Sequence, residues 1–276
     1  MNAKRFFRTP KGILIVVLTA LTVIAAAHEG VRLVAPGIVG AVLAAMLIDA
    51  PILRARHHQR WVFPDGALLT GLIVASVLSS REPWWITTVT AAVAVLSKYV
   101  VRSGKANVFN PAALALVATF YLFNTGQSWW GALPELPSFA VVALLASGAF
   151  VALRVNKAPA VLSFLGTYYL LVTIAAFIGD PAHVAELYRA PDLHAALYFA
   201  FFMVTDPPTS PPREREQIVF GVIVAVVSVA VFELFGVVIY LLIGLLVANA
   251  FEAWGRRMRL SGREWENSGG SRAISE

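Results

Sequence analysis

"LHAALYFAFFMVTDPPTSPP", residues 193–212, is an apolar, aromatic run that ends abruptly on an acid ringed by prolines and hydroxyls. Proline lacks a backbone N–H and fixes φ, so no helix continues through Pro207, Pro208, Pro211 and Pro212. The apolar part, about 194–205, makes a helix of only ~18 Å, against the ~30 Å of a bilayer's hydrocarbon core. A short apolar helix followed by a polar, non-helical stretch is therefore expected.

The rest of the chain places that element in a membrane. Of 276 residues 58% are hydrophobic and 14% charged, whereas soluble domains carry roughly 25% charge. Long uncharged runs separated by short charged ones are how a multi-pass membrane protein reads. Candidate spans lie at about 12–27, 31–53, 66–78, 84–101, 111–123, 137–153, 159–178, 194–205, 217–234 and 236–254. The basic, apolar N-terminus resembles a signal peptide, but so many spans follow that it reads as the first membrane helix. The expected organisation is one polytopic domain over 1–254 and a polar, disordered cytoplasmic tail over 255–276. The chain has no cysteine, which excludes disulfides, Cys-ligated iron–sulfur clusters and thiolate zinc sites of its own.

Basic residues test the count of ten. Lys4, Arg5, Arg8 and Lys11 precede the first span; Arg54, Arg56 and Arg60 follow the second; Lys98, Arg102 and Lys105 follow the fourth. Arg154 and Lys157 follow the sixth, Arg213 and Arg215 the eighth, and Arg256, Arg257, Arg259 and Arg263 the tenth. Alternate crossing puts all of these on one side and leaves only Arg32, Arg81 and Arg189 on the other. Lys and Arg mark cytoplasmic loops, so both termini are expected inside, in a plasma (inner) membrane protein. The +6 net charge thus reflects orientation, and nucleic acid is not an expected partner.

Segments three and eight are short, and they are the third of each half of five. An odd number per half makes the halves run oppositely through the membrane, and interrupted segments at matching places point to a central site. The expected fold is all-α: ten transmembrane segments in two inverted repeats, about 12–123 and 137–254, with short half-helices. Three polar turns then converge on the inner side: Asp65-Gly66 before segment three, "NVFNPAALALV" at 107–117, and "TDPPTSPP" at 205–212. Asn110 reads as an N-cap with Pro111 at the first helical position.

"DGALLTGLIVAS" (65–76), "PWW" (83–85), "GKANVFNPAALAL" (104–116), "FFMVTDPPTSP" (201–211), "FGVIVAVV" (220–227) and "LLVANAFEAW" (245–254) resemble, in this order, the NqrB/RnfD family. These are membrane subunits of the sodium-pumping quinone reductase and of the Rnf ferredoxin–NAD oxidoreductase. The resemblance implies a urea-transporter-like fold of two inverted repeats that carries flavin. In the family one FMN is bound through its phosphate to a threonine, in a loop reading roughly Ser-x-Ala-Thr. Here the corresponding loop is cut to "NTGQSWWGALPELPS" (124–138), which keeps Thr125 and Ser128 but not that motif. The nearest string, Ser147-Gly148-Ala149, runs on into Phe150 inside an apolar segment. The chain thus resembles a compact RnfD-like type without the covalent FMN loop, and a non-covalent flavin, riboflavin or FMN, is the expected cofactor.

A flavin needs hydrogen bonds at its pyrimidine edge and apolar or aromatic walls. Residues of suitable chemistry on the inner-side turns are Asp65, Thr70, Asn107, Asn110, Thr205, Asp206, Thr209 and Ser210, with Phe109, Phe201 and Phe202 as walls. The same polar residues also serve as helix caps and loop ties, and both roles stay open here. The five histidines lie in loops or at segment ends, without haem-like spacing. Trp84-Trp85 and Trp129-Trp130 are expected as interfacial anchors. Ser147-Gly148, with Ala143 and Ala152, is expected to allow close helix packing.

Three functions fit: a flavin electron relay serving a quinone or a partner redox protein, a channel or transporter for a small solute or ion, or a membrane scaffold for a biosynthetic pathway. Each has the lipid bilayer as partner, and a homo-oligomer is compatible with all three.

Overall fold

The structure is a computed structural model that describes residues 9–56, 61–103, 106–134, 136, 139–178 and 192–269, with side chains as far as 259. Ten α-helices occur among the described residues. The first half contains α1 (Pro10–Glu29), α2 (Val31–Arg56), α3 (Asp65–Val77), α4 (Trp84–Val100) and α5 (Pro111–Phe123). The second contains α6 (Phe139–Arg154), α7 (Ala158–Ile178), α8 (Asp192–Phe202), α9 (Glu214–Phe235) and α10 (Tyr240–Gly269). All ten expected segments are helical. The all-α expectation needs one small amendment: Arg102–Ser103 and Ala106–Asn107 pair antiparallel between α4 and α5.

Helices α1, α2, α7 and α9 are long and apolar enough to cross a membrane. They expose apolar side chains that water would not tolerate as broad faces, such as Leu47 at 72% and Phe177 at 88% exposure. In lipid there is no water-driven reason to bury such residues, so helices associate through close contact of small side chains. Gly148 on α6 is such a contact, since a Cβ there would lie 2.3 Å from the Phe201 ring of α8. Ala152 is buried as well, whereas Ala143 faces outward.

The short helices behave differently. From Leu69 to Leu78 and from His194 to Thr205 every residue is buried. Neither α3 nor α8 meets lipid along those stretches, so their non-helical continuations are enclosed by protein, as membrane-depth backbone requires. Helix α3 starts beside the start of α1, where Lys11 Nζ lies 3.1 Å from Asp65 Oδ1. It stops after Val77, and Leu78–Ser80 go on in extended form to the end of α1, where the Ser80 hydroxyl donates to Glu29. Thirteen helical residues cover about 20 Å, and three extended ones add about 10 Å. Short helix plus extended tail thus reach as far as the whole of α1.

The same helix pairs pack in both halves: α2 with α4 and α7 with α9, α4 with α5 and α9 with α10, α1 with α3 and α6 with α8. Between the halves, α5 packs on α10. A 3₁₀ turn, Trp130–Ala132, sits against α1, α3 and α8. Contacts at the helix ends define a basic end, with Lys11, Lys98, Lys157 and Arg256, and an acidic end, with Glu29, Glu82 and Asp192.

One expectation is overturned. Trp129 and Trp130 are not interfacial anchors: they are 6% and 4% exposed, while Trp84 and Trp85 are 58% and 46% exposed as anchors should be. The loop after α5 turns inward, with Trp129 and Leu133 in left-handed conformation at φ 51° and 63°. Trp130 Nε1 donates to the Ala75 carbonyl at 2.8 Å, and Gly131 approaches Ser76 so closely that a Cβ would stand 2.3 Å from its Cβ. The loop thereby covers the tip of α3. Its backbone also completes α3, since Ser128 N and Trp129 N both donate to the Val77 carbonyl at 3.2 Å.

Candidate functional site

At the basic end the three polar turns do converge. Asn110 is the N-cap of α5, its Oδ1 accepting from Ala113 N at 3.1 Å, with Pro111 at the first helical position. Its own backbone N–H donates to Asn249 Oδ1 on α10 at 2.8 Å, and its Nδ2 to the Met203 carbonyl beyond α8 at 3.4 Å. Asn249 Nδ2 donates to the Thr209 carbonyl at 3.2 Å. Asn249 is fully buried and ties the cap of α5 to the proline-rich loop.

Within that loop Thr209 Oγ1 donates to Asp206 Oδ2 at 2.8 Å, and Ser210 Oγ to the Asp206 carbonyl at 2.8 Å. Thr205 Oγ1 reaches back one turn to the Phe201 carbonyl at 2.6 Å. Four outside donors hold the loop carbonyls. Lys157 Nζ binds Pro211 O at 2.6 Å and Ser210 O at 3.3 Å, Arg256 binds Pro208 O at 3.1 Å, and Gln217 Nε2 binds Pro212 O at 3.2 Å. Asn249 is the fourth. Burial pushes the Lys157 ammonium below the usual lysine range, and Asp206 and Glu252 oppose that shift.

Asp65 and Thr70 lie on the neighbouring turn at the start of α3. Asp65 pairs with Lys11, Thr70 Oγ1 bonds to the Gly66 carbonyl at 2.7 Å, and Lys98 Nζ donates to the same carbonyl at 2.9 Å. The carboxylates acting on Lys98 are Asp49, Asp206 and Asp65. Asn107 offers its carbonyl to Arg256 at 3.0 Å, and Phe109 is half-buried beside it. The expected residues are therefore neighbours, and Asn110, Thr205, Thr209 and Ser210 bond to backbone or to each other. Sequence reasoning missed Asn249, Lys157 and Gln217. A lone Asn in the apolar run "LLVANAF" was the one signal for the first.

At the acidic end the arrangement is open. A cavity of about 360 Å³ lies where the inturned loop, the start of α8 and the α9–α10 turn meet. That size falls in the range of small-molecule sites. Its walls include Trp129, Trp130, Phe232 and Tyr240, with Gln127, Ser128, Glu29 and Asp192 as polar lining. The hydroxyls of Thr125 and Ser128 and both amide atoms of Gln127 are buried with no hydrogen-bond partner. Three unpaired polar side chains within four residues are unusual, because each costs about 1–3 kcal/mol when left unmet. No cluster of His, Cys, Asp and Glu fit for a metal occurs among the described residues.

Buried broken helices, enclosed polar loops and lipid-facing long helices define a multi-pass membrane protein with discontinuous segments. The chain belongs to the NQR2, RnfD, RnfE family, whose profile matches residues 4–135 and 130–254. It is 28% identical over 241 residues to the RnfD subunit of the ion-translocating oxidoreductase complex of Ectopseudomonas mendocina (strain ymp), covering 67% of this chain and 70% of that one. It is 31% identical over 99 residues to the corresponding subunit from Aliivibrio salmonicida (strain LFI1238), covering 35% of this chain and 28% of that one. For the Klebsiella pneumoniae (strain 342) protein the figures are 33% over 109 residues, 38% of this chain and 30% of that one. The last two matches thus span less than a third of those relatives' own length.

Proposed function

We propose that this chain is a membrane electron-transfer subunit of a larger oxidoreductase and that it holds a non-covalent flavin. The observation that carries the reading is the aromatic-walled cavity beside the broken helices, in a chain related to ion-translocating oxidoreductase subunits. When bound, a flavin supplies one- and two-electron chemistry on a planar ring. The chain's part is to seat that ring on aromatic walls, meet its polar edge and keep lipid and bulk water away. Without cysteines for an iron–sulfur cluster, electrons must arrive from a partner subunit and leave to another partner or a quinone.

We assign the cofactor to the acidic-end cavity, while Asn110, Thr205, Asp206, Thr209 and Ser210 hold the break in segment eight. Asp65, Thr70, Asn107 and Phe109 form the neighbouring wall of that basic end, a surface suited to docking a partner subunit. The two halves are read as inverted repeats, supported by the recurring helix pairs and by the two short helices starting at opposite ends. The basic end is read as cytoplasmic, with both termini there, supported by the bias in Lys and Arg.

The test is purification in mild detergent followed by visible absorbance and addition of riboflavin or FMN. Bound flavin that is reducible by a soluble donor is the expected result. A protein that carries no flavin and takes up none overturns the reading.

A further inference from the structure

The geometry points to a flavin head group without phosphate as the occupant of the acidic-end cavity, read at its imide edge by Gln127. This deepens the flavin reading above and rests on it. The imide edge of an isoalloxazine presents an N–H donor between two carbonyl acceptors. A primary amide offers one acceptor and two donors in a plane, so Gln127 matches an N–H and its neighbouring carbonyl together. Both amide atoms are buried and free of partners. Ser128, next in sequence and also unpaired, is suited to the second carbonyl or to a ribityl hydroxyl. Trp129, Trp130, Phe232 and Tyr240 supply ring-sized apolar surface, and the last two already pack at 5.0 Å between centroids.

Charge decides between the flavins. Among the described lining residues the charged side chains are the carboxylates Glu29 and Asp192, and neither Lys nor Arg is among them. A phosphate brings about two further negative charges. At the reduced effective dielectric near a protein surface, carboxylates that close repel it by enough to weaken binding at least ~10-fold. Riboflavin and lumiflavin carry the same ring without that charge.

The experiment titrates the purified full-length chain, stripped of bound flavin, with riboflavin, lumiflavin and FMN, following quenching of flavin fluorescence. Riboflavin and lumiflavin are expected to bind alike and FMN at least ~10-fold more weakly. Gln127→Leu is expected to weaken riboflavin at least ~10-fold, through loss of two hydrogen bonds in a buried site. Asp192→Asn is expected to narrow the gap between FMN and riboflavin. FMN binding as tightly as riboflavin overturns the charge argument, and unchanged riboflavin affinity in a folded Gln127→Leu protein overturns the site; either leaves the flavin reading standing. Binding of no flavin at all overturns both. If Gln127→Leu fails to fold, Ser128→Ala and Asp192→Asn carry the test: wild-type affinities and discrimination in both overturn the assignment.

Discussion

Replacing Asn249 by alanine removes one side chain and leaves two backbone groups without partners. The Asn110 N–H loses its 2.8 Å bond and the Thr209 carbonyl its 3.2 Å bond. Asn110, Thr209 and Asn249 are 4%, 1% and 0% exposed, so water does not replace either bond. At about 1–3 kcal/mol for each buried group left unmet, the loss is about 2–6 kcal/mol. For a chain of this size ~1 kcal/mol corresponds to ~2–4 °C of melting temperature, so a drop of about 5–20 °C is expected. The assay is thermal unfolding of the detergent-solubilised protein, followed by tryptophan fluorescence. Ser228→Ala is the matched control: Ser228 is also fully buried, but its hydroxyl has no partner to lose, so the change should be close to neutral. Equal shifts for Asn249→Ala and Ser228→Ala refute the claim that Asn249 clamps the broken segment.

Gly148→Ala puts a methyl 2.8 Å from Phe201 Cβ as well as against the ring, so a rotamer change cannot relieve the clash. A loss of about 1–3 kcal/mol is expected, partly recovered in Gly148→Ala/Phe201→Leu, with thermal unfolding as the measurement. Lys157→Met keeps the buried stem but strips the donor from Ser210 O and Pro211 O. The loop should loosen by about 1–3 kcal/mol, read as faster trypsin cutting after Arg213 and Arg215. Lys11→Ala breaks an ion pair whose lysine side chain is 65% exposed, so a stability change under about 1 kcal/mol is expected in the same unfolding assay.

The helices were legible because hydropathy and charge mark membrane segments without help from tertiary structure. Segment eight, expected at about 194–205, is helical over Asp192–Phe202 and stays buried to Thr205, since the prolines state where regular backbone must stop. Asn110 was legible as a cap for the same local reason. Trp129-Trp130 misled because an aromatic pair at a span end has one appearance whether it faces lipid headgroups or folds inward. The difference lies in left-handed backbone at Trp129 and Leu133, which no glycine announces. The cavity was invisible too, as its walls come from four stretches far apart in sequence: 127–134, 192–195, 232–241 and Glu29. The burial of Asn249 depends on α5 and the proline-rich loop closing around it.

The extended tail of α3 has a consequence for how the chain is made. Val77 and Ser79 take their backbone partners from Gly126, Ser128 and Trp129, about fifty residues further along. A ribosome delivers those residues only after α4 and α5. During that interval the emerging segment carries unmatched peptide groups that hydrocarbon will not accept, at a cost of several kcal/mol each. The insertion machinery must therefore shelter the α3 tail until the loop after α5 arrives, so the first half enters the bilayer as a batch rather than helix by helix.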